Sequence, residues 1–430
     1  MNENDSEVLA GILEKNGFSE TDKPEKASIA LVNTCTVRQS AEDKAFGFIY
    51  ELKKLKKDNP DFKIGVCGCL SQQEKEKLVK RLPFVDFVLG PGSIHELESL
   101  IVNRKPKIGE FIENCNPELR NLPQARKPST TAYVSIMYGC DNYCSYCIVP
   151  YVRGREVSRP VEDIINEVKE LDKSIFKEVV LLGQNVNSYR DQRSEVGDRT
   201  GRNLISDLRS PGSTFGLAEL LKEVHEIDGI ERIRFMTSHP KDMTLDIVKA
   251  VKELPKVCEH FHLPLQSGDD EILKQMNRGY DIHYYSNVIK MIKKEIPGAV
   301  ITSDVIVGFP GESDEQFQNS VKAIKEFDFD VTNTLTYSDR QGTAASKIAD
   351  KISEDIKKNR LQNIMKVVGE IALRKNQKLV GKTLEILVYN STSGRTRTNK
   401  IVKISKDPSL IGKLINVKIK EAQSWVLKGA

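Results

Sequence analysis

Short apolar runs alternate with amphipathic stretches through the first hundred residues. The first amphipathic stretch begins at Asn4, with Glu7 three positions later, and ends before Gly17. We therefore predict a helix with a capping box and a glycine stop. Strands that alternate with helices are typical of an α/β domain with a doubly wound parallel sheet. No strand pattern precedes the first helix, which is unusual for such a sheet. The predicted strands are residues 28–34, 63–68 and 85–89.

A polar segment with three prolines, residues 114–130, predicts a linker between two domains. Beyond it, six strand patterns alternate with helical patterns, and we expect an incomplete (βα)6 barrel rather than the eight-unit form. A stretch rich in Gly, Ser and Arg, residues 189–214, predicts a long loop. The predicted barrel strands are 133–137, 178–182, 232–237, 260–265, 300–307 and 332–337.

The last part of the chain has a different pattern. A charged helix around residues 355–378 leads into three short strand patterns, which predict a small β-barrel of a kind that binds nucleic acid. These patterns lie at 384–388, 400–404 and 415–419. The predicted organisation is an N-terminal domain at 1–113, a linker at 114–130, a central domain at 131–370 and a C-terminal domain at 371–430.

Charge separates this C-terminal domain from the rest. Residues 371–430 contain 13 Lys and Arg against three acidic residues, a net charge of +10 in a chain whose total is +4. The preceding residues therefore carry −6. A basic domain on an acidic body favours a polyanionic partner such as nucleic acid, although a solvated basic surface that only aids solubility fits the charge equally well.

Composition excludes several classes of protein. The hydrophobic fraction of 39% is too high for a disordered chain, and 8 Cys in 430 residues are too few for a disulfide scaffold. No apolar run is long enough to span a membrane, and the first thirty residues lack the apolar core of a secretory signal. We therefore expect a cytosolic protein with reduced thiols, in which clustered Cys indicate metal or redox chemistry.

The strongest chemical signal is a C-x3-C-x2-C run, Cys140, Cys144 and Cys147, just after the first predicted barrel strand. Three thiolates from one loop suit a four-iron cluster and leave one iron open, as a catalytic metal site requires. The alternative is a zinc site completed by a distant residue such as His239 or His262. The position favours the cluster, because barrel enzymes keep their active sites at this end of the strands.

The three cysteines and their surroundings resemble the radical S-adenosylmethionine superfamily, and within it the methylthiotransferases of the MiaB type that act on transfer RNA. The resemblance covers nearly the whole chain, and the C-terminal domain resembles the family's RNA-binding TRAM domain. The matching segments are 139–151, 153–156, 183–187, 237–240, 262–268, 276–278, 303–312 and 394–400.

This resemblance implies a radical reaction. The open iron of the Cys140, Cys144 and Cys147 cluster would chelate S-adenosylmethionine and reduce it to a 5′-deoxyadenosyl radical. The radical would remove hydrogen from the adenine C2 of N6-isopentenyladenosine at position 37, next to the anticodon, where a methylthio group replaces it. The implied cofactors are two 4Fe-4S clusters and S-adenosylmethionine. The implied partner is the tRNA anticodon stem-loop, while the sequence identifies neither the reductant nor the sulfur donor.

The second, auxiliary cluster of the family is held by three Cys of the N-terminal domain and delivers the sulfur. Cys35 and Cys69 match two of those positions, whereas the third family Cys would lie just upstream of the segment matching residues 1–7. We expect that the chain lacks its natural beginning, or else that its second cluster is incomplete. Cys67, two residues before Cys69 on a strand, could substitute, but packing in the core is its more usual role.

Other residues are assigned by position. The resemblance implies that Gly183, Gln184, Asn185, Ser303, Asp304 and Gly308 form the cofactor pocket. Arg395, Arg397 and Lys400 are predicted to contact the RNA backbone. Arg153 and Arg155 are expected either to bind phosphate or carboxylate or to form surface ion pairs. His239 and His262 are predicted to be hydrogen-bonding residues rather than metal ligands, and Cys115 and Cys258 to be plain thiols.

Four alternatives remain open at this stage. The substrate could be a threonylcarbamoyl adenosine or an aspartate of a ribosomal protein, although residues 149–155 and 394–400 favour the isopentenyl branch. A third possibility is a radical enzyme that cannot insert sulfur, because only Cys35 and Cys69 remain for the auxiliary cluster. The fourth is a non-enzymatic RNA-binding protein whose cluster is structural.

Overall fold

A computed structural model describes residues 1–36, 39–102, 110–112, 122–191 and 215–429, with the side chains of 39–40 and 110–112 excepted. Cys115, the first half of the predicted linker and most of the predicted loop therefore lie outside the described residues. The chain divides into two compact units. The N-terminal unit comprises Met1–Lys127, Tyr138–Asp141 and Cys147–Val157, and the barrel unit comprises Pro128–Met137, Asn142–Tyr146 and Ser158–Ala430.

The N-terminal unit contains a four-stranded parallel sheet in the order β1-β2-β3-β4. Its strands are β1 (Ile29–Thr34), β2 (Lys63–Gly68), β3 (Phe87–Leu89) and β4 (Glu110–Ile112). Its helices are α1 (Asn2–Lys15), α2 (Gln39–Asp58), α3 (Cys69–Glu74), α4 (Glu76–Arg81) and α5 (Leu97–Val102). The first three strands match the predicted runs closely, whereas β4 was not predicted.

Side chains alternate across this sheet, so each face has its own core. Val66 of β2 packs with residues of α2 and α4, such as Ile49 and Leu78. The next residue, Cys67, packs with residues of α1 and α5, such as Ile12 and Leu97. Helices thus cover both faces, which confirms the predicted doubly wound α/β arrangement.

The first helix begins earlier than predicted. Helix α1 starts at Asn2, with Met1 at the N-cap and no capping side chain, and Asn4 and Asp5 are buried within it. The predicted capping box at Asn4 is therefore wrong. The predicted stop is confirmed, because the helix ends at Lys15 with Asn16 as its C-cap, and Gly17 follows with a φ of +83°.

The barrel unit contains six parallel strands, as predicted for a partial barrel. They form two hydrogen-bonded groups, β5-β8-β9 and β10-β11-β12. The Ser238 amide, just after β9, donates to the His262 carbonyl of β10 at 3.4 Å and connects the groups. The six strands are β5 (Thr131–Ser135), β8 (Glu178–Leu182), β9 (Arg232–Phe235), β10 (His260–His262), β11 (Val300–Val307) and β12 (Val331–Thr336).

Helices alternate with these strands and bury the outer face of the barrel. They are α7 (Val161–Glu170), α8 (Leu217–His225), α9 (Leu245–Glu253), α10 (Asp270–Gln275), α11 (Ile282–Glu295) and α12 (Asp314–Phe327). Three short elements flank the cysteine loop in sequence. They are β6 (Met137–Tyr138), α6 (Val149–Arg153) and β7 (Val157–Ser158). No helix in the described part of the chain is long and apolar enough to cross a membrane.

A long helix, α13 (Glu354–Gln377), leads to a closed five-stranded barrel at the C-terminus. Because Ile364, Val368 and Ile371 of α13 pack into the core of the large barrel, the helix is continuous through the domain boundary predicted at 370. The small barrel confirms the predicted fold class, although two of its strands, β14 and β17, were not predicted. Its strands are β13 (Thr383–Asn390), β14 (Ser393–Thr396), β15 (Ile401–Lys403), β16 (Leu414–Ala422) and β17 (Leu427–Gly429).

Candidate active site

The cysteine loop follows the first strand of the large barrel, as the sequence predicts. Cys140 comes directly after Gly139, whose φ of +72° and whose contact with the Arg155 carbonyl leave no room for a side chain. Cys144 is buried, and Cys140 and Cys147 are partly exposed. Cys147 leads into helix α6. The local sequence therefore fixes the path of the chain on both sides of the motif.

Asn277 and Arg278, which belong to a segment that matched the family without a predicted role, fix the middle of this loop. The Asn277 side-chain amide donates to the Asn142 and Tyr143 carbonyls at 3.3 and 3.0 Å. The Arg278 guanidinium donates to the Cys144 Sγ at 3.2 Å. Arg278 lies 134 residues from Cys144, so local spacing could not indicate this contact.

Arg278 is buried, and each nitrogen of its guanidinium donates a hydrogen bond. It also donates to the Tyr280 hydroxyl at 3.0 Å and to the Pro264 carbonyl at 3.1 Å. Burial alone would lower the pKa of Arg278, but Tyr146, Tyr280 and Cys144 raise it well above its usual value. A permanent positive charge therefore lies against the sulfur of Cys144.

These residues fit an iron–sulfur cluster by their chemistry. Cys140, Cys144 and Cys147 supply sulfur donors, and hydrogen bonds toward the sulfurs, such as that from Arg278, are a protein's means of tuning a cluster's potential. Within the described ranges no three Cys, His, Asp or Glu side chains are arranged so that they could hold a metal ion. The cluster role of the three cysteines therefore stays a prediction from their spacing and chemistry.

Three buried oxygen atoms near the carboxyl ends of successive barrel strands have no hydrogen-bond partner among the described residues. They are Gln184 Oε1 after β8, Ser238 Oγ after β9 and Gln266 Oε1 after β10. A buried polar atom without a partner costs about 1–3 kcal/mol, so such atoms indicate a missing ligand or water. The amino group of S-adenosylmethionine can donate to the two amide oxygens, and its carboxylate can accept from the Ser238 hydroxyl. Gln184 was predicted for this role, whereas Ser238 and Gln266 were not.

The other predicted cofactor residues on β8 and its loop have structural contacts. A side chain at Gly183 would overlap Met137, so packing alone requires glycine there. The Asn185 amide donates to Asp242 Oδ2 at 2.7 Å, and its oxygen accepts from the His239 amide at 3.0 Å. Their contact with a cofactor stays a prediction.

The predicted residues on β11 behave similarly. Ser303 is fully buried and accepts a hydrogen bond from the Leu265 amide at 2.9 Å. Asp304 accepts from Asn333 at 2.9 Å and lies 3.3 Å from His262 Nε2. Gly308 has a φ of +72° that favours glycine. Of the three, only Asp304 has a partly exposed side chain that could face a ligand.

Both histidines form hydrogen bonds, as expected. His262 Nδ1 lies 3.0 Å from the Thr302 hydroxyl. His239 Nδ1 accepts from the Lys241 amide at 3.3 Å, and burial lowers the pKa of His239 to about 2. His239 is therefore a neutral residue that orders the loop after β9.

The predicted auxiliary site lies at the carboxyl edge of the sheet in the N-terminal unit. Cys35 follows β1, and Cys69 begins α3 directly after β2. Gly68 has a φ of +99°, and a side chain there would overlap the Thr34 carbonyl, so the two strand ends approach closely. Burial, and then Asp5 and Cys35, raise the pKa of Cys69, whereas Arg153 lowers it. The two thiols are therefore neighbours.

This edge fits a sulfur-bound group. Arg153 hydrogen-bonds to Cys69, and its guanidinium would stabilise a thiolate. The side-chain oxygens of Asn33 and Thr36, on either side of Cys35, are buried without a partner in the described part of the chain. The ligand role of Cys35 and Cys69 remains a prediction.

The structure gives both arginines an ion-pair partner, but only the Arg155 pair lies at the surface as expected. Arg153 is buried and pairs with Asp5 at 2.5 Å. Arg155 forms an exposed two-bond pair with Asp141, at 2.8 and 3.0 Å. Each arginine therefore has a carboxylate partner within the N-terminal unit.

The remaining described thiols are core residues. Cys67 is fully buried between α1, α5 and the sheet, and burial raises its pKa to about 12. This supports packing rather than metal ligation by Cys67. Cys258 is also buried, and burial raises its pKa, which agrees with a plain thiol.

Comparisons with known proteins agree with this geometry. The family models of the radical SAM superfamily, of an uncharacterized protein family (UPF0004) and of the TRAM domain match residues 134–324, 1–90 and 377–430. The tRNA-2-methylthio-N(6)-dimethylallyladenosine synthase of Thermodesulfovibrio yellowstonii is 45% identical over 436 residues, which is 100% of this chain and 96% of that protein. The same-named protein of Clostridium botulinum (strain Okra) is 45% identical over 441 residues, covering 100% and 94%. The chain belongs to this synthase family.

Solved structures show the same fold at low identity. The radical S-adenosylmethionine methyltransferase TsrM from Kitasatospora setae, solved with cobalamin and a [4Fe-4S] cluster bound, has a TM-score of 0.59 at 13% identity. The match covers 80% of this chain and 73% of that one. This likeness concerns the fold alone.

The TRAM barrel contains the three residues predicted to contact RNA, and their side chains have partners within the barrel unit. Arg397 forms bonds to Glu259 at 2.7 and 3.0 Å, and Lys400 lies 3.0 Å from Asp330. Arg395 donates to Asn399 at 2.8 Å. Arg397 and Lys400 thus attach the TRAM barrel to the large barrel. An RNA contact by any of the three stays a prediction.

Two buried arginines of β9 complete this attachment, and the sequence analysis missed both. Arg232 donates to the Arg395 carbonyl at 2.6 Å, and Arg234 donates to the Thr396 and Arg397 carbonyls at 2.7 and 2.6 Å. An Arg-x-Arg pattern inside a strand that is otherwise buried was the available signal, because buried arginine needs acceptors. The structure supplies these acceptors from the TRAM backbone.

Proposed function

We propose that the chain is a radical SAM methylthiotransferase that converts N6-isopentenyladenosine at position 37 of tRNA to its 2-methylthio derivative. The observation that carries the proposal is the loop of Cys140, Cys144 and Cys147 after the first strand of a (βα)6 barrel, in a chain 45% identical over its whole length to synthases of that name. The TRAM barrel and its basic charge support an RNA substrate.

In this proposal Cys140, Cys144 and Cys147 hold one 4Fe-4S cluster. When bound, that cluster would supply the electron for reductive cleavage of S-adenosylmethionine, the chemistry needed to remove hydrogen from the adenine C2. Arg278 keeps Cys144 in place and puts positive charge beside its sulfur. The unpartnered oxygens of Gln184, Ser238 and Gln266 bind the polar end of S-adenosylmethionine.

Sulfur insertion requires a source of sulfur, and we assign it to a second cluster held by Cys35 and Cys69. The close approach of their strand ends at Gly68 and the unpartnered oxygens beside Cys35 support this assignment. Arg153 opposes the pKa increase that burial causes at Cys69 and so favours the thiolate that a metal needs. The substrate in this proposal is the tRNA anticodon stem-loop.

The test is anaerobic turnover by the reconstituted protein with S-adenosylmethionine, a chemical reductant and an anticodon stem-loop containing isopentenyladenosine. Mass spectrometry should detect 5′-deoxyadenosine and the 2-methylthio nucleoside. Cys144→Ala should abolish both products, whereas Cys258→Ala, a buried thiol outside the site, should retain both. Iron and sulfide analysis of the same preparations counts the clusters.

Each result has a distinct meaning. Formation of 5′-deoxyadenosine without methylthiolation would contradict the sulfur step and leave the radical step in place. Absence of both products in a protein loaded with iron and sulfide would overturn the proposed function. Methylthiolation of a threonylcarbamoyl substrate in preference to the isopentenyl one would overturn the assignment of the substrate.

A further inference from the structure

A cavity of about 350 Å³ lies within the barrel unit, and its walls come from three parts of the chain. Residues of β10, β11 and β12 form one wall, Asn376 of α13 contributes another, and two TRAM segments, 398–401 and 424–427, complete it. Trp425, the single tryptophan of the chain, lines the cavity and is 50% exposed. The volume lies at the lower end of the ~300–1,000 Å³ range of small-ligand sites.

Apolar side chains and neutral hydrogen-bonding groups make up most of the lining. Asn333, Asn376 and Asn399 contribute amides, and Thr398 and Ser424 contribute hydroxyls. The lysine in the lining, Lys400, already contacts Asp330 and Asn376. Since a phosphate site needs available positive charge, the lining is better suited to a neutral, flat, hydrogen-bonding ligand.

His260 provides an independent sign of a missing ligand. It lines the cavity and is only 3% exposed, and its Nε2 lies 3.1 Å from the Thr302 hydroxyl. Its Nδ1 has no hydrogen-bond partner among the described residues. Burial lowers the pKa of His260 to about 3, so the ring is neutral at physiological pH. Its Nδ1 can therefore donate a hydrogen bond to a neutral ligand or accept one from it, depending on the tautomer.

The cavity extends along the strands of the large barrel. His260, Val300 and Val331, which line it, are the first residues of their strands, whereas the cysteine loop and the unpartnered oxygens follow strand ends. The lining also reaches Thr237, directly before Ser238, so only the part of the cavity beside Trp425 and the TRAM segments is assigned to a base other than the reacting one. Hydrogen bonds from His260 through Thr302 and His262 to Asp304 nevertheless connect this wall to the predicted cofactor pocket.

We propose that this cavity binds one unstacked base of the substrate RNA, a neighbour of the reacting adenosine, which stacks on Trp425 while its edge contacts the amides and His260. Proteins bind single-stranded RNA by stacking bases on aromatic rings and by hydrogen bonds to their edges. The inference rests on the proposed function, because it takes the RNA substrate from there. It adds a subsite that positions the RNA.

The test uses the fluorescence of Trp425, which reports on this site alone because the chain has no other tryptophan. The loaded enzyme is titrated with the anticodon stem-loop under anaerobic conditions. Saturable quenching of the emission and protection from acrylamide are expected. Emission that does not respond at RNA concentrations sufficient for turnover would overturn the inference. A series of stem-loops with single abasic sites should then identify one nucleotide whose removal abolishes the quenching.

Variants supply the second readout. Trp425→Ala should raise the KM for the stem-loop by about fivefold to a hundredfold, the range expected for the loss of one stacked base, with a smaller effect on kcat. Trp425→Phe, which retains a ring, should restore most of the affinity. Ile411→Ala removes a side chain of the same TRAM barrel that is 46% exposed and does not line the cavity, so it should leave KM unchanged. Equal KM values for Trp425→Ala and Ile411→Ala would overturn the inference.

The two proposals fail in different ways. Methylthiolation without any response of Trp425 would refute the subsite and leave the proposed function intact. Quenching by RNA without product formation would refute the function and leave an RNA-base site at Trp425. Far-UV circular dichroism of each variant excludes loss of fold as the cause.

Discussion

Arg234 offers a direct test of how the TRAM barrel is attached to the large barrel. Its Nε lies 2.6 Å from Glu178 Oε2, and its two terminal nitrogens donate to the Thr396 and Arg397 carbonyls. The side chains of Arg234 and Glu178 are each 4% exposed. Arg234→Met would therefore leave a buried carboxylate and two carbonyls without their cationic partner.

The expected cost follows from these contacts. Removing one partner of a buried ion pair costs about 3–5 kcal/mol, because the other charge stays buried and unpaired. Each orphaned carbonyl could add about 1–3 kcal/mol, but such costs overlap, so we expect a loss of about 4 kcal/mol in the free energy of unfolding. Glu178→Gln in the Arg234→Met background should recover part of this loss, because it removes the uncompensated charge.

The assay is anaerobic urea unfolding followed by far-UV circular dichroism. Arg155→Met is the matched control, because it breaks an ion pair in which Arg155 is 75% exposed, and such pairs contribute at most about 1 kcal/mol. If Arg234→Met costs no more than this control, or if Glu178→Gln recovers nothing, the assignment of Arg234 as a structural attachment is wrong.

Three further predictions use the same unfolding measurement. Gly68→Ala should destabilise the protein by at least about 1–3 kcal/mol, because φ is +99° and a methyl group would overlap the Thr34 carbonyl. The control Gly298→Ala should be close to neutral, because there is open space around Gly298. Arg278→Met should cost about 3 kcal/mol, because it removes a buried cation that satisfies three or more acceptors, and Arg278→Lys should restore only part of this. The free energy of unfolding should fall as the pH drops from 6.5 to about 3, because His260 becomes protonated in the unfolded chain but not in the folded one. At pH 5 this loss is about 2 kcal/mol. His260→Gln should flatten that part of the pH profile.

Each of these predictions has an outcome that contradicts it. Equal stability of Gly68→Ala and Gly298→Ala would show that the strand ends are not as close as described. If Arg278→Met left the free energy of unfolding unchanged, Arg278 would not stabilise the cysteine loop. A pH profile that His260→Gln does not change would show that His260 is not held neutral by burial.

The strands that the sequence predicts well are those whose signal is local. Continuous apolar runs such as Lys63–Gly68, Glu178–Leu182 and Val300–Val307 have the predicted bounds because a fully buried strand needs no partner information to be recognised. Strands β14 and β17 are short and contain Gly and Lys or Arg, so only their pairing in the closed barrel defines them. The start of α1 was misplaced because Asn4 and Asp5, which are typical of caps, are buried in the helix interior.

The functional site divides in the same way. The cysteine loop is visible in the sequence because its three cysteines lie within eight residues. Arg278 meets the loop only through the fold, 134 residues from Cys144, and an isolated Arg has no specific spacing to recognise. Arg397 and Lys400 stay predictions as RNA contacts, because net charge predicts an attraction to polyanions but does not show which basic side chains also pair with carboxylates inside the protein.

The charge of the C-terminal domain therefore separates into two parts with different consequences. Arg397 and Lys400 are neutralised by carboxylates of the barrel unit and stabilise the attachment of the TRAM barrel. The available charge lies elsewhere, on exposed lysines for which the described residues show no ion pair. They are Lys378, Lys382, Lys403, Lys406, Lys413, Lys418 and Lys420. Lys418 and Lys420 alternate along β16 with the buried Val417 and Ile419, so strand periodicity directs them to solvent. Since salt-dependent affinity for RNA comes from cations free to neutralise phosphates, we expect it to arise from this exposed set more than from Arg397 and Lys400.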